Sequence, residues 1–122
     1  MGKALNILLV EDCADDAYLL LHFLKRNDFD VELERVSTAE SLKKALKKQD
    51  WNAILCDYSL PILDLKEALA LSKDMTPSIP FYVLSGSNNP EHRNEATKAG
   101  ANGFISKDSL EPLADILGQI TE

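Results

Sequence analysis

Apolar residues gather in five short blocks, each followed by a stretch in which they recur every three or four positions. The blocks lie at residues 5–10, 31–36, 51–57, 79–84 and 102–106. Short apolar runs bounded by polar turns predict buried strands. The third contains an unbroken Ala53, Ile54, Leu55 and Cys56, the pattern of a central strand covered on both faces. The second alternates imperfectly, with Arg35 among its apolar positions, as an edge strand does.

The intervening stretches have helical spacing. A helix over 14–27 turns Ala17, Leu20, Leu21 and Leu24 inward, and one over 38–48 turns in Leu42, Ala45 and Leu46. A third over 64–75 carries Ala68, Leu69 and Leu71, and Leu110, Leu113, Leu117 and Ile120 mark the last. The fourth, over 91–99, offers little beyond Ala96 and Ala99, so packing holds it weakly. Capping supports these bounds: Asp12 or Cys13 opens the first helix, and Ser37 with Glu40 reads as a capping box for the second. Thr76 and Pro77 stop the third, and Pro90, after the loop 85–89, suits a first helical position. Gly100 closes the fourth. Alternating strands and helices with short connections predict an α/β fold, a doubly wound five-stranded parallel sheet with right-handed crossovers.

The chain has 122 residues, 45% of them hydrophobic, enough for one core; residues 1–122 are expected to form a single domain. A formal net charge of -7 argues against direct contact with nucleic acid or an anionic membrane. Lys43, Lys44, Lys47 and Lys48 cluster, but on the solvent face of the second helix. No apolar stretch approaches a membrane span and no signal-peptide core opens the chain, so a cytoplasmic location is expected. Cys13 and Cys56 both adjoin acids, which disfavours a reactive thiolate.

Chemistry enters at the strand ends. Glu11 and Asp12 follow the first strand, Asp57 ends the third and Lys107 follows the fifth. In an open parallel sheet these carboxyl ends converge on one crevice, where such folds bind ligands. Three carboxylates there repel one another and ask for a divalent cation with oxygen ligands. Each residue also has an ordinary role: Asp12 as a helix cap, Lys107 as a solvated charge, Ser85 as a loop residue, Phe104 as packing. Their joint placement at strand ends on one sheet edge favours the chemical reading.

The segments ILLVEDCADD, ILCDYSLP, FYVLSGS and GFISKDSL, in that order along the whole chain, resemble the receiver domains of bacterial two-component response regulators. The resemblance implies a (βα)5 flavodoxin-like fold with strand order 2-1-3-4-5. It implies Asp57 as phosphoacceptor, with Glu11, Asp12, Asp57 and the backbone carbonyl of Ser59 holding Mg2+. Ser85 would bond a phosphoryl oxygen, Lys107 would pair with the acceptor and then the phosphoryl group, and Phe104 would be the aromatic switch, turning into space that Ser85 vacates. The implied donor is a sensor histidine kinase or phosphotransfer protein, and the output a downstream protein or attached domain. The fourth helix, fifth strand and fifth helix form the signalling face and a possible homodimer surface. Such a domain promotes its own phosphorylation and dephosphorylation without being an enzyme in the ordinary sense.

Two positions depart from the family pattern. Leu65 stands where glycine is usual, and Asp108 where a proline, often in a cis peptide, follows the lysine. A cis bond before a non-proline residue costs about 2.5–4 kcal/mol, so a trans peptide is expected here. Other readings fare worse. A Mg2+-dependent phosphatase with an aspartate nucleophile needs a second aspartate two residues on, where Ser59 stands. A flavin or nucleotide module wants a glycine- or hydroxyl-rich loop after the first strand, where Glu11, Asp12, Asp15 and Asp16 stand instead. A receiver kept only as an unphosphorylated scaffold is expected to have lost site residues, and none is lost.

Overall fold

The computed structural model describes residues 3–87 and 89–120. Five parallel strands, β1 (Lys3–Val10), β2 (Phe29–Val36), β3 (Ala53–Asp57), β4 (Phe81–Ser85) and β5 (Gly103–Ser106), form one sheet in the order β2-β1-β3-β4-β5. The helices are α1 (Ala14–Arg26), α2 (Ala39–Lys48), α3 (Leu65–Met75), α4 (Pro90–Ala99) and α5 (Glu111–Ile120). Successive strand residues point to opposite faces, so each central strand feeds two cores. Leu8, Val10, Ile54, Cys56 and Val83 pack with Leu42, Leu69 and Ala96 from α2, α3 and α4. Ile7, Leu9, Leu55 and Leu84 pack with Leu20 and Leu24 of α1 and Leu113 and Leu117 of α5. Every residue of β3 and β4 is buried, which explains the unbroken apolar run in β3.

The two wound halves diverge between β1 and β3, whose carboxyl ends carry Glu11, Asp12 and Asp57. That divergence opens the crevice. Several boundaries differ from the sequence expectation, for local reasons. β3 begins at Ala53 rather than residue 51 because Asn52 is a clamp: its N–H donates to Asn6 O at 2.8 Å while its Oδ1 accepts from Asn6 N at 2.7 Å. Asn102 does the same before β5, donating to Phe81 O at 2.7 Å and accepting from Phe81 N at 2.9 Å. β4 begins at Phe81, after Pro80, which has no N–H to give a ladder.

The capping box of α2 lies one residue beyond the expected Ser37 and Glu40. β2 pairs through Val36, so the chain spends Ser37 on the turn and Thr38 becomes the cap. Ser41 N donates to Thr38 Oγ1 and Thr38 N donates to Ser41 Oγ, both at 3.1 Å. At α4 the expectation holds: Pro90 sits in the first turn, Asn89 Oδ1 accepts from Glu91 N at 2.8 Å, and Gly100 ends the helix at φ 108°. Asn88, in the expected loop before it, lies outside the described residues. Ala96 is the one buried residue of the described α4, so this helix is weakly anchored.

Gly103 pairs with Tyr82, and a Cβ there would lie 2.9 Å from the Tyr82 ring. Overpacking of this kind costs about 1–3 kcal/mol. Gly103→Ala is therefore expected to lower the urea midpoint without changing the slope; an unchanged midpoint would show that the ring yields freely.

Candidate functional site

The β1 ladder is prolonged past Val10 by Glu11 N donating to Val36 O at 2.9 Å, which drives the Glu11 side chain inward to 2% exposure. Arg35 Nη1 donates to the carbonyls of Glu11 at 3.2 Å and Asp12 at 3.3 Å, fixing the turn into α1. Asp12 stays exposed, and Cys13 rather than Asp12 is the N-cap of α1, without a side-chain cap bond. Asp57 ends β3 between β1 and β4 and is 7% exposed. Carboxylate oxygens of Glu11, Asp12 and Asp57 lie within 4.8 Å of one another.

Lys107 is set by its own N–H, which donates to Ser85 O at 2.8 Å. Its ammonium reaches Asp57 Oδ1 at 3.3 Å, Glu11 Oε2 at 3.4 Å and Asp16 Oδ2 at 2.9 Å. There is no cis peptide among the described residues, so the Lys107–Asp108 bond is trans, as expected. Sequence reasoning did not single out Asp16 as a partner of Lys107. The available signal was its place in the first turn of the helix that follows Glu11 and Asp12.

The charges act on one another. Burial, and then the Asp57 carboxylate, raise the Glu11 carboxyl from its ordinary 4.5 to about 7. Burial alone would lower the Lys107 amine, but the hydrogen bond with Asp16 and the charges of Asp57 and Glu11 outweigh it and hold the amine above its ordinary range. Burial, with Asp57 and Glu11 nearby, pushes the Cys56 thiol upward, which fits a core residue and not a nucleophile. The three carboxylates make an acidic pocket of hard oxygen donors able to hold a cation. Cys13 lies near Glu11 and Asp16, but Lys107 already engages that aspartate.

The other expected residues stand on the loop after β3 and on the neighbouring strands β4 and β5. Ser59 N donates to Asp57 Oδ1 at 3.4 Å. Ser85, 3% exposed, ends β4 one residue beyond the partner of Asp57, and its Oγ accepts from Ser87 N at 3.1 Å. Phe104, on β5, is buried at 7% exposure in this structure. Arg93 lies 5.0 Å above the ring centroid and Tyr58 meets its edge, so cation–π and aromatic contacts hold it inside.

Tyr58, His92 and Glu95 were missed altogether. Tyr58 Oη donates to Glu95 Oε2 at 2.6 Å, and His92 stacks on the Tyr58 ring at 4.2 Å. That hydrogen bond is the first cause holding the Tyr58 phenol above its ordinary range. These contacts tie the residue after Asp57 to α4, whose packing is otherwise sparse. The spacing of His92 and Glu95 was a faint sign that they share a helix face.

A pH dependence follows from Glu11. In the metal-free protein, folded Glu11 keeps a proton between about pH 4.5 and 7 that the unfolded chain has released. Its contribution is fully present below that window and is lost as pH rises through 7, on the order of 3 kcal/mol. Glu11→Gln removes it. Urea unfolding at pH 5 and pH 8 should show the parent losing more stability than the variant; equal losses would contradict the raised carboxyl.

Comparison with known proteins agrees with this arrangement. The family model for the response regulator receiver domain matches residues 7–117. The transcriptional regulatory protein PrrA of Mycobacterium tuberculosis is 27% identical over 115 residues, covering 94% of this chain and 48% of PrrA. The chain thus spans about half the length of that curated relative. A putative response regulator from Chloroflexus aurantiacus superposes with a TM-score of 0.84 at 22% identity, covering 98% of each chain. The receiver domain of sensor histidine kinase PA1611 from Pseudomonas aeruginosa, with a magnesium ion in its active site cleft, gives 0.80 at 23% identity, covering 99% of this chain and 98% of that one. With the family model spanning nearly the whole chain on a sheet of order 2-1-3-4-5, this protein belongs to the response regulator receiver domains of two-component signalling.

Proposed function

We propose that residues 1–122 act as one phosphorylation-operated switch, with Asp57 as the phosphoacceptor. The observation that carries this reading is the placement of the Asp57 carboxylate beside two further acids and 3.3 Å from the Lys107 ammonium. Phosphoryl transfer needs a nucleophile in line and fixed positive charge, with little other covalent help. An Asp57 carboxylate oxygen attacks the phosphorus of a phosphohistidine. The new O–P bond forms as the P–N bond breaks, and the imidazole nitrogen leaves with the electron pair. Lys107 pairs with the acceptor beforehand and with the phosphoryl oxygens afterwards, and the Ser85 hydroxyl donates to one of them.

The carboxylates of Glu11, Asp12 and Asp57 and the Ser59 carbonyl would hold Mg2+, which supplies neutralising charge for the transferring group. Hard oxygen donors suit that ion, and a receiver of the same fold carries it in its cleft. The phosphoryl donor is a sensor histidine kinase or a phosphotransfer protein. Output passes through the face formed by α4, β5 and α5, to an attached domain, a separate protein or a second copy of the chain. α4 suits that task because, among the described residues, Ala96 is its one buried side chain, helped by half-buried Ala99 and by contacts to Tyr58 and Phe104.

The test is labelling by a small acyl phosphate with Mg2+, read by intact mass and peptide mapping. One phosphoryl group on Asp57 is expected, and none on Asp57→Asn. Equal labelling of the variant would refute the assignment.

A further inference from the structure

Lys107 has one carboxylate partner outside the set that surrounds the acceptor. Asp16 Oδ2, at 2.9 Å, is closer to the ammonium than either Asp57 or Glu11. An ammonium carries three N–H donors and no acceptor; this one donates to Glu11 and Asp16 and forms an ion pair with Asp57. Glu11 and Asp57 are residues whose charge and surroundings change when a cation and a phosphoryl group arrive. Asp16 does not. It stands in the first turn of α1, a helix pinned to the sheet by buried Ala17, Leu20 and Leu24, so its carboxylate is carried on a rigid element.

The lysine needs such a tether. Its four-carbon stem is flexible and leaves the ammonium free to sample many positions. Asp108, in place of a proline, leads instead into a turn in which Asp108 N donates to Ser106 Oγ and Ser109 N to Ser106 O. Beside the ion pair, Leu9, Leu19, Leu20, Leu84 and Leu110 line a cavity of about 70 Å³. The pair is half-open to water, with the Asp16 side chain 43% and Lys107 24% exposed, so its role is to direct the ammonium more than to add stability.

We infer that Asp16 is a positioning residue for phosphoryl transfer to Asp57, holding the Lys107 ammonium where the phosphoryl oxygens arrive. The inference deepens the acceptor reading and rests on it.

A double-mutant cycle on the phosphorylation rate, with acetyl phosphate and Mg2+ in excess, tests it. Asp16→Ala should slow labelling of Asp57 on the order of tenfold, as small misplacements of a charged group do. In a Lys107→Ala background the same change should alter the rate by less than about twofold, because the partner is gone. Asp16→Asn, which keeps the shape and removes the charge, should lie between parent and Asp16→Ala. A second readout is acetylation of Lys107 by an amine reagent in the unphosphorylated protein, which should rise several-fold in Asp16→Asn; where Lys107→Ala leaves no measurable transfer, this labelling decides. Equal slowing in both backgrounds, or unchanged Lys107 labelling, overturns the inference. A parent that takes no label on Asp57 fails the acceptor reading itself, a result distinct from either.

Discussion

Crowding of like charge at the ends of two adjacent strands is the constraint on which the rest depends. Glu11, Asp12 and Asp57 bring carboxylate oxygens within 4.8 Å of one another, and two of the three are almost wholly buried. A fold optimised only for stability would not place them so. The protein manages the repulsion in two ways: burial keeps Glu11 protonated to about pH 7, and the Lys107 ammonium pairs with two of the three, Glu11 and Asp57. The site therefore holds repulsion that added positive charge would offset.

The sheet makes that tension possible. β1 and β3 are neighbours although a strand and two helices separate them in the chain, so their acidic ends meet where the windings diverge. The same alternation that feeds two cores leaves only the strand ends for chemistry. Of the elements bordering the crevice, α4 is held least by packing and most by side chains that touch the site's surroundings, through Tyr58, Glu95, Arg93 and Phe104. A change of charge at Asp57 thus has a short physical route to a loosely held helix. The face of α1 and α5 is stitched down by Leu20, Leu24, Leu113 and Leu117.

Much of this was legible in the residues, and the limits are physical. Apolar runs in β3 and β4 announce central strands because burial on both faces leaves no room for polar side chains. The acids and the lysine were readable because strand ends in a parallel sheet share one edge. Strand starts were less clear: Asn52 and Asn102 act through side-chain bonds to a neighbouring strand, which no local pattern reveals. Asp16 and the contacts of Tyr58 with His92 and Glu95 depend on which helix face meets the crevice, a tertiary fact. Phe104 is covered by Arg93 over its face and Tyr58 at its edge, which its own strand position does not disclose.

Whether these three carboxylates form one cation-responsive cluster is decided by thermal unfolding at pH 8, with and without Mg2+, for the parent and Asp57→Asn. Metal should stabilise the parent by about 2.7 kcal/mol at a hundredfold excess over its dissociation constant. Without metal, Asp57→Asn should melt higher than the parent, by on the order of 1 kcal/mol for like charges this close in a wet cleft. Lys107 keeps Asp16 and Glu11 as partners in that variant, so little attraction is lost. A metal-free variant that melts below the parent, with no effect of Mg2+ on either protein, would contradict the account.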